Sequence, residues 1–127
     1  MRVLLDTVVF LWWLADDPRL GVAARRVIED PAKEVYVSAA SGWEIAVKRA
    51  SGKLNAPGDI HEWLDQGLFD HLPIEVDHAI AAGALPPHHR DPFDRLLVAQ
   101  AQTEGMALLT SDDVMGRYDV DLIDART

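Results

Sequence analysis

Hydrophobic and polar positions along the chain form short apolar runs that alternate with amphipathic segments. Arg2 to Leu5 is a β-branched and leucine run that ends at Asp6-Thr7 and passes into Val8-Val9-Phe10-Leu11-Trp12-Trp13-Leu14, apolar on every side. This predicts a buried strand feeding a buried or partner-covered helix. Asp17-Pro18 predicts an N-cap before a proline at the first helical position, with Leu20, Ala24, Val27 and Ile28 on one face of the helix that follows. Glu34 to Ser38 predicts a second strand, and Trp43, Ala46, Val47 and Ala50 mark a third helix that closes near Gly52. Beyond a loop at Asn55-Ala56-Pro57-Gly58, the spacing of Ile60, Trp63, Leu64 and Leu68 predicts another amphipathic helix. Leu72 to Val76 then reads as a third strand, and Asp77 to Leu85 as a short Ala-rich helix stopped by Pro86-Pro87. Asp91-Pro92 opens a helix from Phe93 to about Glu104, which Gly105 closes. Met106 to Thr110 is the fourth strand, a helical turn follows Asp112-Asp113, and Val120 to Ile123 reads as a fifth strand.

Short apolar strands alternating with helices predict an α/β fold with a mostly parallel sheet of four to five strands covered on both faces. A chain of 127 residues has room for one ordinary core, so a single domain over residues 1–127 is expected. The apolar fraction of 49% and charged fraction of 26% are those of a soluble globular chain. The apolar start does not read as a signal peptide, because Asp6 interrupts it and Asp16-Asp17-Pro18 follows where small residues would stand. It is also too short to span a bilayer, so a cytoplasmic protein with no membrane role is expected. The absence of cysteine excludes a disulfide, a thiolate nucleophile and a zinc knuckle. A formal charge of −9 argues against general nucleic-acid coating.

Charge takes on a sharper meaning at four acids that each stand where a helix begins. Asp6 follows the first strand, Glu44 the second and Asp112 the fourth, while Asp94 opens the helix before the fourth strand. In an open parallel sheet, ligands bind at the carboxyl edge of the strands. Helix capping is the plain alternative for each acid taken singly: Asp6 before the first helix, Ser41-Gly42-Trp43-Glu44 as a capping box, Asp91 with Asp94 at the third helical position, and Asp112 or Asp113 before the last turn. For Asp94 the helix face argues otherwise, since Leu97, Val98 and Ala101 share its stripe. A buried carboxylate needs a partner. Two carboxylates ~5 Å apart repel by about 3 kcal/mol at an effective dielectric of about 20, so a group of them calls for a cation. Oxygen ligands point to Mg²⁺, with Mn²⁺ as a substitute, and to phosphodiester hydrolysis by metal-activated water.

The segments Leu4-Leu5-Asp6-Thr7, Ser38 to Ala46 (SAASGWEIA), Arg90 to Ala101 (RDPFDRLLVAQA) and Leu108 to Asp113 (LLTSDD), in this order and spacing, resemble the PIN-domain family, particularly the VapC-type ribonuclease toxins of bacterial toxin–antitoxin pairs. Each motif alone is common, whereas the ordered set is specific and covers nearly the whole chain. The resemblance implies a three-layer α/β/α domain and a Mg²⁺-dependent endoribonuclease, commonly a homodimer silenced by a cognate antitoxin protein. By position, Asp6, Glu44, Asp94 and Asp112 match the family's acidic quartet as catalytic and metal-binding residues. Asp91 is an auxiliary acid, and Thr110 and Ser111 match the polar pair before the fourth acid. The chain departs from many relatives at Val8, where a polar residue is frequent, and at Gly42, which should loosen the start of the Glu44 helix.

Other residues admit two readings. His88-His89-Arg90 would serve acid–base chemistry or stand solvated in a loop, with a substrate-side role assigned to Arg90 and Arg95. Lys48 either pairs with Glu44 four positions before it or sits beside the scissile phosphate. Trp12, Trp13 and Trp63 read as core in preference to base-stacking platforms, and the apolar excess of the first helix suggests a dimer seam or an antitoxin groove. A phosphatase using Asp6 as nucleophile is disfavoured, because the common pattern has an Asp where Val8 stands. A binding module whose acids only cap helices is the non-enzymatic alternative. Lys48, Arg49, Lys53, Arg90 and Arg95, five of the 12 basic residues, lie in sequence beside the acidic motifs, so an acidic chain can still carry a local basic rim facing an RNA substrate.

Overall fold

The computed structural model describes residues 1–55, 58–66 and 69–127. Five strands, β1 (Arg2–Leu5), β2 (Glu34–Ser38), β3 (Asp70–Leu72), β4 (Ala107–Thr110) and β5 (Leu122–Asp124), form one sheet in the order β3-β2-β1-β4-β5. Every pairing is parallel; β1 takes β2 on one side, with Leu4 opposite Tyr36, and β4 on the other, with Leu4 opposite Leu108. The helices are α1 (Thr7–Leu14), α2 (Val22–Glu29), α3 (Ala39–Ala50), α4 (Ile60–Gln66), α5 (Val76–Ala84) and α6 (Pro92–Glu104), with a short 3₁₀ helix over Asp113–Arg117.

The two-residue period of a strand divides the core into two layers. Val3, Leu5, Val35, Val37 and Leu109 face one side, where they pack with Val9, Phe10 and Trp12 of α1 and Ala24 and Ile28 of α2. Leu4 and Leu108 face the other and pack with Leu97, Val98 and Ala101 of α6. Ala40 of α3 joins the second layer while Ile45 joins the first, so this helix closes the carboxyl end of the sheet between the two faces. The expected α/β/α architecture is the one observed.

Several boundaries differ from the sequence expectation for identifiable reasons. The second helix does not start at Pro18: the Asp17 carboxylate accepts from the Arg19 amide at 2.9 Å and pairs with its guanidinium, making a turn instead. The helix begins after Gly21, whose amide donates to Ala125 O and where a Cβ would lie 2.2 Å from the Thr127 carbonyl carbon, so only glycine fits beneath the chain end. The third strand ends at Leu72, earlier than the expected Leu72 to Val76, because its partner β2 ends at Ser38, Pro73 has no amide to pair, and Glu75 already caps α5. Gly105 closes α6 in the left-handed conformation at φ 65°, as its position predicts. Ala56, Pro57 and Leu68, assigned from the sequence to a loop and to the face of α4, lie outside the described residues.

The order of the strands sets the place of the site. The chain moves outward from β1 to β3 on one side, then crosses to β4 and β5 on the other, so its direction reverses between β1 and β4. That is the topological switch point, where the connections part and leave a crevice at the carboxyl edge.

Candidate metal centre

Asp6 leaves the carboxyl end of β1 at this crevice, and its amide donates to Leu109 O across the gap to β4. It occupies the N-cap position of α1 but its side chain makes no capping hydrogen bond, so the capping alternative does not account for it. The carboxylate is 3% exposed and accepts a 2.7 Å hydrogen bond from the Thr110 hydroxyl. Burial pushes its pKa up from 3.8 to about 6, helped by the negative charges of Glu44 and Asp112 and opposed by the Thr110 hydroxyl.

Glu44 is the second buried acid, 3% exposed. The expected capping box at Ser41 does not form, because α3 starts earlier: Ser38 is the N-cap and accepts from the Ala40 amide at 2.9 Å. Ser41 therefore lies within the helix, where its hydroxyl meets that of Thr7 at 2.8 Å and ties α3 to α1. Glu44 Oε2 pairs with Lys48 one turn later, whereas Oε1 is buried with no hydrogen-bond partner among the described residues. A buried carboxylate oxygen without a donor is costly unless a cation meets it.

Asp94 enters from the other direction. Because α6 precedes β4, its N-terminus lies at the carboxyl edge of the sheet, and Asp91 caps it by accepting from the Phe93 amide at 2.8 Å and the Asp94 amide at 3.4 Å. Burial pushes the Asp94 pKa up from 3.8 to about 7, with Asp6, Asp91 and Glu44 adding repulsion and His89 acting against them. Asp112 follows β4; its Oδ1 accepts from the Val114 amide at 2.9 Å, so it caps the 3₁₀ helix as well as joining the cluster. Asp6 feels the negative charges of Glu44 and Asp112, and Asp94 those of Asp6 and Glu44, so the four acids lie near one another.

Thr110 ties the site together, donating to Asp6 while accepting from the Asp112 amide at 3.0 Å. Ser111, its expected companion, is half-buried beside it. Lys48 makes the ion pair with Glu44, and the charges of Asp91 and Asp94 also raise its pKa after the Glu44 hydrogen bond, so the residue faces the acids in either reading. Arg90 is exposed and lines a notch of about 420 Å³ with Lys48, Lys53, Ser51 and Phe93. Arg95 donates to the carbonyl oxygens of Ala82, Leu85, Pro86 and His89, which makes it an anchor for the loop before α6.

Of the two readings open for His89, the structure does not match a solvated loop. Its Nε2 lies 2.8 Å from Asp112 Oδ2 and 3.1 Å from Asp94 Oδ2. Ligand atoms of His89, Asp94 and Asp112 all fall within 4.8 Å of one another. The available signal was its position two residues before the cap of the Asp94 helix, which keeps it within reach of that acid. His88, by contrast, packs edge-on against Tyr118.

The tryptophans divide in the same way. Trp12, Trp13 and Trp63 belong to the core, as expected. Trp43, assigned from its spacing to a helix face, is 58% exposed and rests edge-on against Phe93 at 4.9 Å, so the apolar stripe of α3 points outward while Ser41 and Glu44 point in. Among the described residues, no helix is long and apolar enough to cross a membrane.

A hard divalent cation fits this donor set: carboxylates drawn together by burial, two of them with raised pKa values, and one oxygen left without a donor. A profile of the PIN domain family matches residues 3–121. Ribonuclease VapC22 of Mycobacterium tuberculosis (strain ATCC 25618 / H37Rv) is 38% identical over 114 residues, covering 87% of this chain and 86% of that protein. Among solved structures, VapBC2 from Rickettsia felis bound to a promoter DNA fragment aligns with a TM-score of 0.73 at 14% identity, over 97% of this chain and 98% of that one. FitAcB from Neisseria gonorrhoeae aligns with a TM-score of 0.68 at 24% identity, over 97% of each chain.

Proposed function

The chain belongs to the PIN-domain family, and from that premise we propose that it is a metal-dependent endoribonuclease acting as the toxin of a toxin–antitoxin pair. The observation that carries the reading is the convergence of Asp6, Glu44, Asp94 and Asp112 at the switch point of the sheet, with Asp6 and Asp94 titrating near neutrality in the absence of a cation. Acids that only capped helices would not need to converge on one site.

Asp6, Glu44, Asp94 and Asp112 would hold Mg²⁺, with Mn²⁺ as a substitute. When bound, the ion supplies Lewis-acid activation of water and neutralises charge at the phosphoryl group. Thr110 fixes the carboxylate of Asp6, and Asp91 holds the N-terminus of α6 so that Asp94 faces the cluster. Lys48, Lys53 and Arg90 form the basic rim against which phosphates flanking the scissile bond rest, and Ser111 stands next to Thr110 in the chain as a further polar contact for substrate. Water adds in line to phosphorus as the bond to the 3′ oxygen breaks, which leaves a 5′-phosphate and a 3′-hydroxyl.

The solved structures of similar fold include a toxin–antitoxin complex from Klebsiella pneumoniae, and an antitoxin is the proposed protein partner here. A chain of net charge −9 suits a partner segment carrying Arg or Lys. A second copy of the chain is the other proposed partner, with Trp43 and Val47 on α3 and Val76 and Ile80 on α5 among the large apolar residues left exposed.

End mapping of RNA incubated with the protein tests the assignment. In Mg²⁺ the expected products carry 5′-phosphate and 3′-hydroxyl ends, and EDTA, Asp6→Asn or Asp94→Asn abolishes them while the fold is retained. Undiminished cleavage by either folded variant overturns the reading.

A further inference from the structure

Among the residues gathered at the site, His89 has no assigned role. We propose that His89 is a positioning residue that clamps Asp94 to Asp112 through its Nε2 proton, and is not itself a ligand of the metal. The inference rests on the metal-centre reading above and concerns how that centre is held.

The hydrogen bonds on the far side of the ring fix the tautomer. The Asp91 amide donates to His89 Nδ1 at 3.1 Å. An amide nitrogen has no lone pair to accept with, so Nδ1 is the unprotonated nitrogen and the ring proton is on Nε2. A protonated nitrogen has no lone pair for a cation either. It is a donor, and it faces two carboxylate oxygens: Asp112 Oδ2 at 2.8 Å and Asp94 Oδ2 at 3.1 Å.

The backbone carrying the ring is held at both of its polar groups. His89 N–H donates to the Tyr118 hydroxyl at 2.9 Å, and that hydroxyl in turn donates to Pro86 O at 2.9 Å. His89 O accepts from Arg95, whose guanidinium also binds the carbonyls of Pro86, Ala82 and Leu85. A solvated loop would not require this scaffold.

Asp94 and Asp112 come from different elements, the first turn of α6 and the loop after β4, and their charges repel. A donor that bonds Asp112 and also stands 3.1 Å from Asp94 Oδ2 offsets that repulsion and favours rotamers in which the two side chains face each other. Outer hydrogen bonds of this kind set the orientation of metal-binding carboxylates, and their removal costs ~10–100-fold in metal affinity.

Mn²⁺ binding to the whole chain, read by electron paramagnetic resonance, tests the proposal independently of cleavage. His89→Ala is expected to weaken Mn²⁺ binding by about 10–100-fold. His89→Gln, which keeps an N–H donor, is expected to recover part of the loss, and Tyr118→Phe to give a smaller loss. The wild-type Mn²⁺ spectrum should show no nitrogen coupling from the His89 ring. Wild-type affinity in folded His89→Ala, or nitrogen coupling from His89, overturns the clamp. Should His89→Ala fail to fold, ¹⁵N NMR of the metal-free wild type decides: protonation at Nε2 is expected, and a ring protonated at Nδ1 overturns it. Asp94→Asn separates this inference from the metal-centre reading. If Asp94→Asn loses Mn²⁺ while His89→Ala keeps it, only the clamp fails; if both bind as wild type does, the metal centre fails with it.

Discussion

The Thr110 hydroxyl donates to Asp6 Oδ2 at 2.7 Å and joins residues 104 positions apart across the gap between β1 and β4. The Thr110 hydroxyl oxygen also accepts from the Asp112 amide, so one side chain sets the position of two acids that follow neighbouring strands. Thr110→Val keeps the shape and removes the hydroxyl. The expected result is a loss of about 1–2 kcal/mol in urea unfolding, with a fall in RNA cleavage that Thr110→Ser largely restores. Equal activity in the valine and serine variants would count against the positioning role.

The raised pKa values of Asp6 and Asp94 link stability to pH. Both groups bind protons more tightly in the folded chain than at the ordinary value of 3.8, holding them to about 6 and about 7. Their contribution is fully present below the ordinary value and is lost as pH rises through the folded values. In EDTA the melting temperature is therefore expected to be higher at pH 5 than at pH 8. Millimolar Mg²⁺ should restore much of the loss at pH 8, because an ion that binds only the folded state stabilises it by mass action. A metal-free melting temperature that is unchanged or rises between these two pH values would contradict this account.

Asp94→Asn removes one of the repelling charges. In EDTA at pH 8 this variant is expected to melt at or above the wild-type temperature, and calorimetry in increasing Mg²⁺ should show a much smaller upward shift than in the wild type. Destabilisation of the metal-free variant would mean that the Asp94 carboxylate serves the fold and not a cation.

Lys48 balances Glu44, whose other oxygen has no donor among the described residues. Lys48→Met leaves a buried carboxylate without that partner and is expected to destabilise the metal-free protein by about 1–2 kcal/mol. Because a cation would take over part of the compensation, the loss measured by chemical denaturation should shrink in Mg²⁺. A loss that is equal with and without the ion would separate Lys48 from the metal centre.

Gly42 lies within the first turns of α3, and a Cβ built there meets no heavy atom within 4 Å. Its helical backbone does not require glycine. Gly42→Ala is expected to stabilise the chain by about 0.5–1 kcal/mol in thermal or urea unfolding. A destabilised alanine variant would show that the position needs the smaller residue.

Much of the architecture was legible in local pattern. The alternation of apolar strands with helices specifies a parallel sheet covered on both faces, because strands buried on both sides need apolar residues on both sides. The position of Asp6 and Asp112 after strands, of Glu44 in the helix after the second strand and of Asp94 in the first turn of α6 already suggested a common edge, and Asp91 and Gly105 mark the ends of α6 by chemistry that acts within a few residues. Capping, turn and periodicity signals are short-range, so a sequence carries them directly.

Only the tertiary structure decided which partners those residues meet. The start of α2 depends on the chain end lying over Gly21, and the end of β3 depends on where β2 runs out, neither of which is a local property. Arg95 is used by the carbonyls of a preceding loop, the stripe of α3 bearing Trp43 faces outward, and His89 enters the acidic cluster because Tyr118 and Arg95 hold its backbone there. The identities of the acids are written in the chain. Their raised proton affinities and the donor that joins two of them arise from burial and long-range approach, and these exist only once the sheet has brought β1 and β4 together.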